Sequence, residues 1–192
     1  MPKPLDRVIM ELNSGPFLSW LSELTEIPQL LPDPYLGGGG LHSTGPGGIL
    51  VPHTDFHTTE VDHYYRRINL LLYLNDGWTE SHGGALELWD KEKDRVVREI
   101  WPEFGRCVIF QTDADSMHGS TKPVVGRDRH SIAMYYYTVS RPERFSGDGS
   151  THWRSKSLAG EGVPGLVKRS AYRLLMATSY RISKLAWYVR PQ

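Results

Sequence analysis

The chain is poor in cysteine: Cys107 is the only one among 192 residues. That excludes an internal disulfide framework and suits a reducing compartment. Charge of one sign is also missing, since 22 Lys and Arg balance 22 Asp and Glu. No global basic field therefore draws the chain to nucleic acid. No apolar run is long enough to span a bilayer. The opening Met1-Pro2-Lys3-Pro4-Leu5-Asp6 lacks the apolar centre of a secretory signal. These shortages lead to the expectation of a cytoplasmic protein with no transmembrane segment and no nucleic-acid partner. Hydrophobic residues, at 39%, suffice for a real core in one domain.

Glycine and proline are plentiful, and they divide the chain into three textures. Residues 1–34 read as helical support. Asn13-Ser14-Gly15-Pro16 starts a helix, and Phe17, Leu21, Leu24 and Ile27 then follow near helical spacing. Pro28 and the run Pro32-Asp33-Pro34 end it. Residues 35–140 change to short apolar or alternating segments: Ile68 to Leu74, Ala85 to Trp89, Val96 to Ile100, Cys107 to Phe110 and Ser131 to Val139. Between them stand turn signals such as Gly37-Gly38-Gly39-Gly40 and Gly45-Pro46-Gly47-Gly48. Many short strands with such punctuation favour a mainly β sandwich or barrel. Residues 141–192 read as a polar loop followed by a helix over 166–189. Its Lys168, Arg169, Arg173, Arg181 and Lys184 form a basic face beside an apolar one, most simply a helix packed on the β core. The whole, 1–192, is expected to form a single domain.

His53-Thr54-Asp55 carries the clearest chemistry. Side chains two apart share one face of a strand, so both can reach one ion. His118, beyond the strand at Cys107 to Phe110, is the candidate third ligand. Two imidazoles and a carboxylate suit Fe(II) and leave coordination positions open; zinc could take the same set. The tripeptide alone is common by chance. Of the other histidines, His57, His63, His82 and His152 are expected in loops or at the surface, with His57 a rival ligand if its strand continues.

Downstream, Arg129 and Ser131 share a strand face. A guanidinium fork and a hydroxyl together hold a carboxylate, and Tyr73 could add a phenolic hydrogen bond. Arg127 has the same parity as Arg129 and competes with it for this role.

Four blocks in order resemble the prolyl-4-hydroxylase-like group of the 2-oxoglutarate/Fe(II)-dependent dioxygenases. They are Gly-Gly-Gly-Gly-Leu-His at 37–42 and His-Thr-Asp-Phe at 53–56; the run from Arg66 to Asn75 with Trp78 and the segment Gly83 to Trp89; and His118-Gly119 leading to the segment Arg129 to Thr138. The resemblance spans roughly residues 17–140. It implies a distorted double-stranded β-helix, a cupin-like jelly roll with flanking α-helices. It implies His53, Asp55 and His118 as iron ligands, and Arg129, Tyr73 and Ser131 as the 2-oxoglutarate site. It also implies O2 as co-substrate, with ascorbate as a candidate reductant. The reaction implied is hydroxylation of an unactivated C–H bond in a prolyl, peptidyl or amino-acid-like substrate, with release of succinate and CO2. Retention of Asp55 argues against the related halogenases.

The substrate, a small molecule or a peptide, would meet candidates His42, Phe56, Arg67 and Trp78, while Trp89 is expected in the core. Two other readings stand beside the hydroxylase: a non-catalytic metal-binding jelly roll used for sensing, and a zinc hydrolase on the same ligands.

Overall fold

The structure is a computed structural model and describes residues 3–59, 62–92, 94–143 and 151–153. Two helices come first, α1 (Lys3–Leu12) and α2 (Gly15–Thr25). The expected helical span is thus broken and shortened. The Ser14 hydroxyl accepts from the backbone N–H of Phe17, which caps a new helix and stops the first. Glu26 ends α2 in the left-handed region, φ 56°, before Pro28 is reached.

Nine strands follow among the described residues: β1 (Gly40–Thr44), β2 (Leu50–Thr54), β3 (Tyr65–Tyr73), β4 (Leu86–Asp90), β5 (Arg95–Ile100), β6 (Cys107–Gln111), β7 (His118–Ser120), β8 (Arg129–Thr138) and β9 (His152–Trp153). They form two sheets with antiparallel ladders, ordered β1-β8-β3-β6 and β5-β4-β7-β2-β9. This is the mainly β jelly-roll arrangement with flanking helices. The strand β9 falls in a stretch expected to be loop. The basic helix expected over 166–189 lies outside the described residues.

Strand alternation decides what each sheet face does. In β8, Ile132, Met134 and Tyr136 point one way and join Ile68 and Leu70 of β3. Ile9 of α1, Leu21 of α2, and Ile27 and Leu30 after it cover them. Burial of this face against the helices is the main apolar core. Tyr136 keeps its polar end satisfied by donating to the carbonyl of Leu12, 2.9 Å away. The alternate residues of the same strands, Arg129, Ser131, Ala133 and Tyr135 with Asn69 and Leu71, line a cavity of about 470 Å³. The second sheet adds Leu50, His53, Leu86 and His118 to its lining. One face of the first sheet is therefore structural, and the other faces the polar site.

Candidate active site

His53 and His118 are direct cross-strand partners, on β2 and β7. Their ring centroids lie 4.5 Å apart. Asp55 follows just past the end of β2, and ligand atoms of all three residues lie within 4.8 Å of one another. Each imidazole has Nδ1 against a backbone carbonyl: His53 on Val51, 2.8 Å, and His118 on Ser116, 3.0 Å. That contact places the ring proton on Nδ1 and leaves the Nε2 lone pair free to ligate. Both Nε2 atoms converge on Asp55, at 3.6 and 3.5 Å. Burial lowers the His118 pKa, aided by the His53 and Arg66 charges and opposed by the Asp55 charge and the Ser116 hydrogen bond, which favours the neutral, ligating form. Burial would raise the pKa of Asp55. The His53 hydrogen bond, the charges of Arg66 and His118, and the Asn69 hydrogen bond outweigh it and hold the carboxyl well below the usual range. The donor set therefore fits a divalent ion such as iron(II): two imidazoles turned with Nε2 toward the site and one ionised carboxylate, preoriented and largely dry.

Gly119 permits this pairing. β2 carries an irregularity between Leu50 and His53, and a Cβ on Gly119 would lie 2.9 Å from the Leu50 carbonyl oxygen.

Arg129 lines the same cavity. Its Nε donates to the Gly84 carbonyl at 2.8 Å and its Nη2 to the Tyr73 hydroxyl at 3.3 Å. The Tyr73 pKa is raised by burial, with Arg129 opposing, so the phenol stays protonated and can donate onward. Ser131 is buried on the same wall and pairs in register with Tyr73 of β3 and His42 of β1. Arg127 is elsewhere. It bonds the Asp76 carbonyl from an exposed position and stands over the Trp78 ring, so the two arginines left open by parity separate in space.

Gly84 sets the height of this clamp. It sits at φ +66°, and a Cβ there would lie 3.0 Å from both Arg129 Cδ and Val124 Cγ2. Gly84→Ala should displace the guanidinium and raise the KM for 2-oxoglutarate about tenfold, the worth of one charge-assisted hydrogen bond. Gly77→Ala, at a position where a Cβ meets nothing within 4 Å, should leave that KM unchanged. Initial rates at varied 2-oxoglutarate measure both.

The substrate candidates scatter. His42 lines the cavity and is exposed. Phe56 does not line it; its ring stacks on Arg66 and borders a second groove with Tyr35, Tyr64 and Tyr137. Arg67 also stands off the cavity, donating to the Thr138 hydroxyl at 3.2 Å. Trp78 is buried, with its indole N–H on the Gly83 carbonyl at 3.0 Å; it braces a loop rather than facing the triad. Trp89, expected in the core, is half-buried and donates to Glu87. His57, expected near the surface, is buried because β2 stops at Thr54 and the chain turns inward.

Two residues beside the triad went unanticipated. Arg66 is 2% exposed and pairs with Asp55 Oδ2 at 3.1 Å. Asn69 donates to the same oxygen at 2.7 Å. Asn69 is a polar residue within an otherwise apolar strand segment, a signal the sequence does carry, whereas Arg66 stands beside another arginine and carries none.

The family model for the 2OG-Fe(II) oxygenase superfamily matches residues 39–137, more than half of the chain. The chain belongs to this superfamily. Iron(II) and 2-oxoglutarate are the metal and co-substrate for which the superfamily is named, and the matched span contains the triad, Tyr73, Arg129 and Ser131. Similar solved structures include a prolyl 4-hydroxylase from Phytophthora capsici, at 25% identity and TM-score 0.52, covering 71% of this chain and 43% of that one. A Pseudomonas putida prolyl-4-hydroxylase is similar at 19% identity and TM-score 0.46, covering 64% and 60%. A viral collagen prolyl hydroxylase from Paramecium Bursaria Chlorella virus-1, in its 2-oxoglutarate complex, is similar at 18% and 0.48, covering 73% and 77%. The oxygenase thus spans less than half the length of the P. capsici protein. No curated protein matches it. Among the described residues no helix is long and apolar enough to cross a membrane.

Proposed function

We propose that this chain is a single-domain Fe(II)- and 2-oxoglutarate-dependent dioxygenase that hydroxylates an unactivated C–H bond of a prolyl, peptidyl or amino-acid-like substrate. The observation that carries this reading is the sharing of one cavity by His53, Asp55 and His118 with Arg129 and Ser131, Arg129 being held from behind by the Tyr73 hydroxyl. A metal-binding sensor has no need of a second, dicarboxylate-sized clamp beside its metal. A zinc hydrolase needs a general base, and Asp55 is the one carboxylate among the described residues lining the cavity. The prolyl reading draws its support from the P. capsici relative. A lone cysteine and a ferrous ion both suit a reducing compartment, so the same reading puts the protein in the cytoplasm.

In this reading His53 Nε2, Asp55 and His118 Nε2 hold the iron. Bound there, iron(II) supplies the activation of O2 that couples oxidative decarboxylation of 2-oxoglutarate to C–H hydroxylation, with succinate and CO2 as co-products. The chain's own work is positional. Arg129, its Nε already committed to Gly84, offers its outer N–H groups to the distal carboxylate. The Tyr73 and Ser131 hydroxyls complete that seat. Leu71, Leu86 and Ala133 line the wall near it and limit water. His42, at the exposed edge, is placed to meet substrate.

Incubation with 2-oxoglutarate, with and without Fe(II), followed by succinate measurement, tests the reaction class. Succinate should form only with both iron and O2 present. A screen over amino acids and proline-containing peptides, read as a mass gain of one oxygen, then finds the substrate. Hydrolysis of any of these without O2 and 2-oxoglutarate would reject the dioxygenase.

A further inference from the structure

We infer that Arg66 and Asn69 are positioning residues that restrict Asp55 to donating a single oxygen to the metal. The inference rests on the iron-site reading and concerns how many positions around the ion stay open.

Arg66 reaches this place through an irregularity in β3. The register with β8 shifts between Arg66 and Ile68, so Arg67 is the extra residue. Strict alternation would put Arg66 on the face of Ile68, under the helices. The bulge turns it to the opposite face, beside Asn69, as bulges next to active sites do. There its guanidinium lies between two rings, with Cζ 3.4 Å from the Tyr135 centroid and 4.5 Å from the Phe56 centroid. Cation–π contact with both rings helps hold the guanidinium in place beside Asp55.

The guanidinium and Asn69 close a three-residue ring around one oxygen. Arg66 Nε donates to Asn69 Oδ1 at 2.9 Å. Asn69 Nδ2 donates to Asp55 Oδ2 at 2.7 Å, and Arg66 Nη2 pairs with that same Oδ2 at 3.1 Å. The amide can point only one way, because its oxygen meets a donor and its nitrogen an acceptor. Oδ2 thus accepts the Asn69 N–H and lies against the Arg66 cation. Each oxygen lies near one ligand imidazole, Oδ1 3.6 Å from His53 Nε2 and Oδ2 3.5 Å from His118 Nε2, but only Oδ1 is clear of Arg66 and Asn69 and is the oxygen left for the ion. An octahedral ion held by two imidazoles and one carboxylate oxygen keeps three positions open. A carboxylate free to turn and bind through both oxygens would leave two, which a chelating keto acid fills without room for O2. The ring around Oδ2 thus preserves the third position.

The test uses the full chain loaded with Mn(II), whose EPR lines broaden in 17O-water in proportion to the water ligands bound. Wild type should hold three waters, falling to one when 2-oxoglutarate is added. Asn69→Ala and Arg66→Met should each hold one fewer in both states, with a thermal melt of the metal-free protein confirming that each is folded. Asn69→Ala removes one amide, so it serves if Arg66→Met fails to fold. Unchanged water counts in a folded Asn69→Ala protein overturn the inference. So does weaker Mn(II) binding with the wild-type count, which would make the pair a mere brace. A wild-type chain that binds no Mn(II) would instead bring down the iron-site reading together with this inference.

Discussion

Asp55→Ala should abolish iron-dependent conversion of 2-oxoglutarate to succinate. The substitution removes the one carboxylate among the described residues of the cavity. The two imidazoles left behind share no charge with a divalent ion and define too few of its positions. A second effect accompanies the first. Arg66, 2% exposed, loses its acidic partner, and breaking a buried pair from one side costs about 3–5 kcal/mol. The metal-free variant should therefore also melt at a lower temperature than wild type. Asp55→Asn separates the two effects: it keeps the shape and a carbonyl oxygen beside Arg66 but removes the anionic ligand, so it should be more stable than the alanine variant and equally inactive. Succinate formation, metal titration and thermal melting of the three proteins make the comparison. Full iron-dependent turnover by folded Asp55→Ala, with no carboxylate added to the buffer, would remove Asp55 from the metal site.

Arg129→Ala should raise the KM for 2-oxoglutarate about ten- to a hundredfold, because a hydrogen bond to a charged group is worth roughly 1.5–3 kcal/mol. Arg129→Lys should recover little of this. The guanidinium reaches Gly84 through Nε and Tyr73 through Nη2 at the same time, and an ammonium is a single point that cannot span the two. Arg127→Ala should leave the KM unchanged, since its guanidinium is tied to the Asp76 carbonyl. Steady-state kinetics at saturating Fe(II) distinguish the variants. The reverse pattern, an effect at Arg127 and none at Arg129, would move the co-substrate site to Arg127.

The legible parts of this protein are those in which spacing alone implies direction. Arg129 and Ser131, two apart on β8, face the cavity as strand alternation requires, and His53 and Asp55, two apart across the end of β2, face it as well. The strands themselves follow from apolar runs between glycines and prolines, and five of them begin or end within a few residues of where those runs do. Errors arose where a local event resets the period or the surroundings redefine a side chain. Ser14 split one helix into two by capping. The extra residue Arg67 reversed the facing of Arg66. Trp78 and His57 lie buried in loops, where no repeat period predicts which way a side chain faces.

By itself, then, the sequence determined the kind of chemistry: two imidazoles, a carboxylate and an Arg-x-Ser pair, carried on strands or, for Asp55, just past the end of one. Tertiary structure alone decided their company. Cross-strand register set His118 opposite His53. The turn at Gly84 brought a carbonyl to Arg129. A single bulge put Arg66 against Asp55. The reason is physical: alternation is a property of each strand, whereas register and bulges are settled between strands, by which pairing buries the apolar face and satisfies the backbone at once.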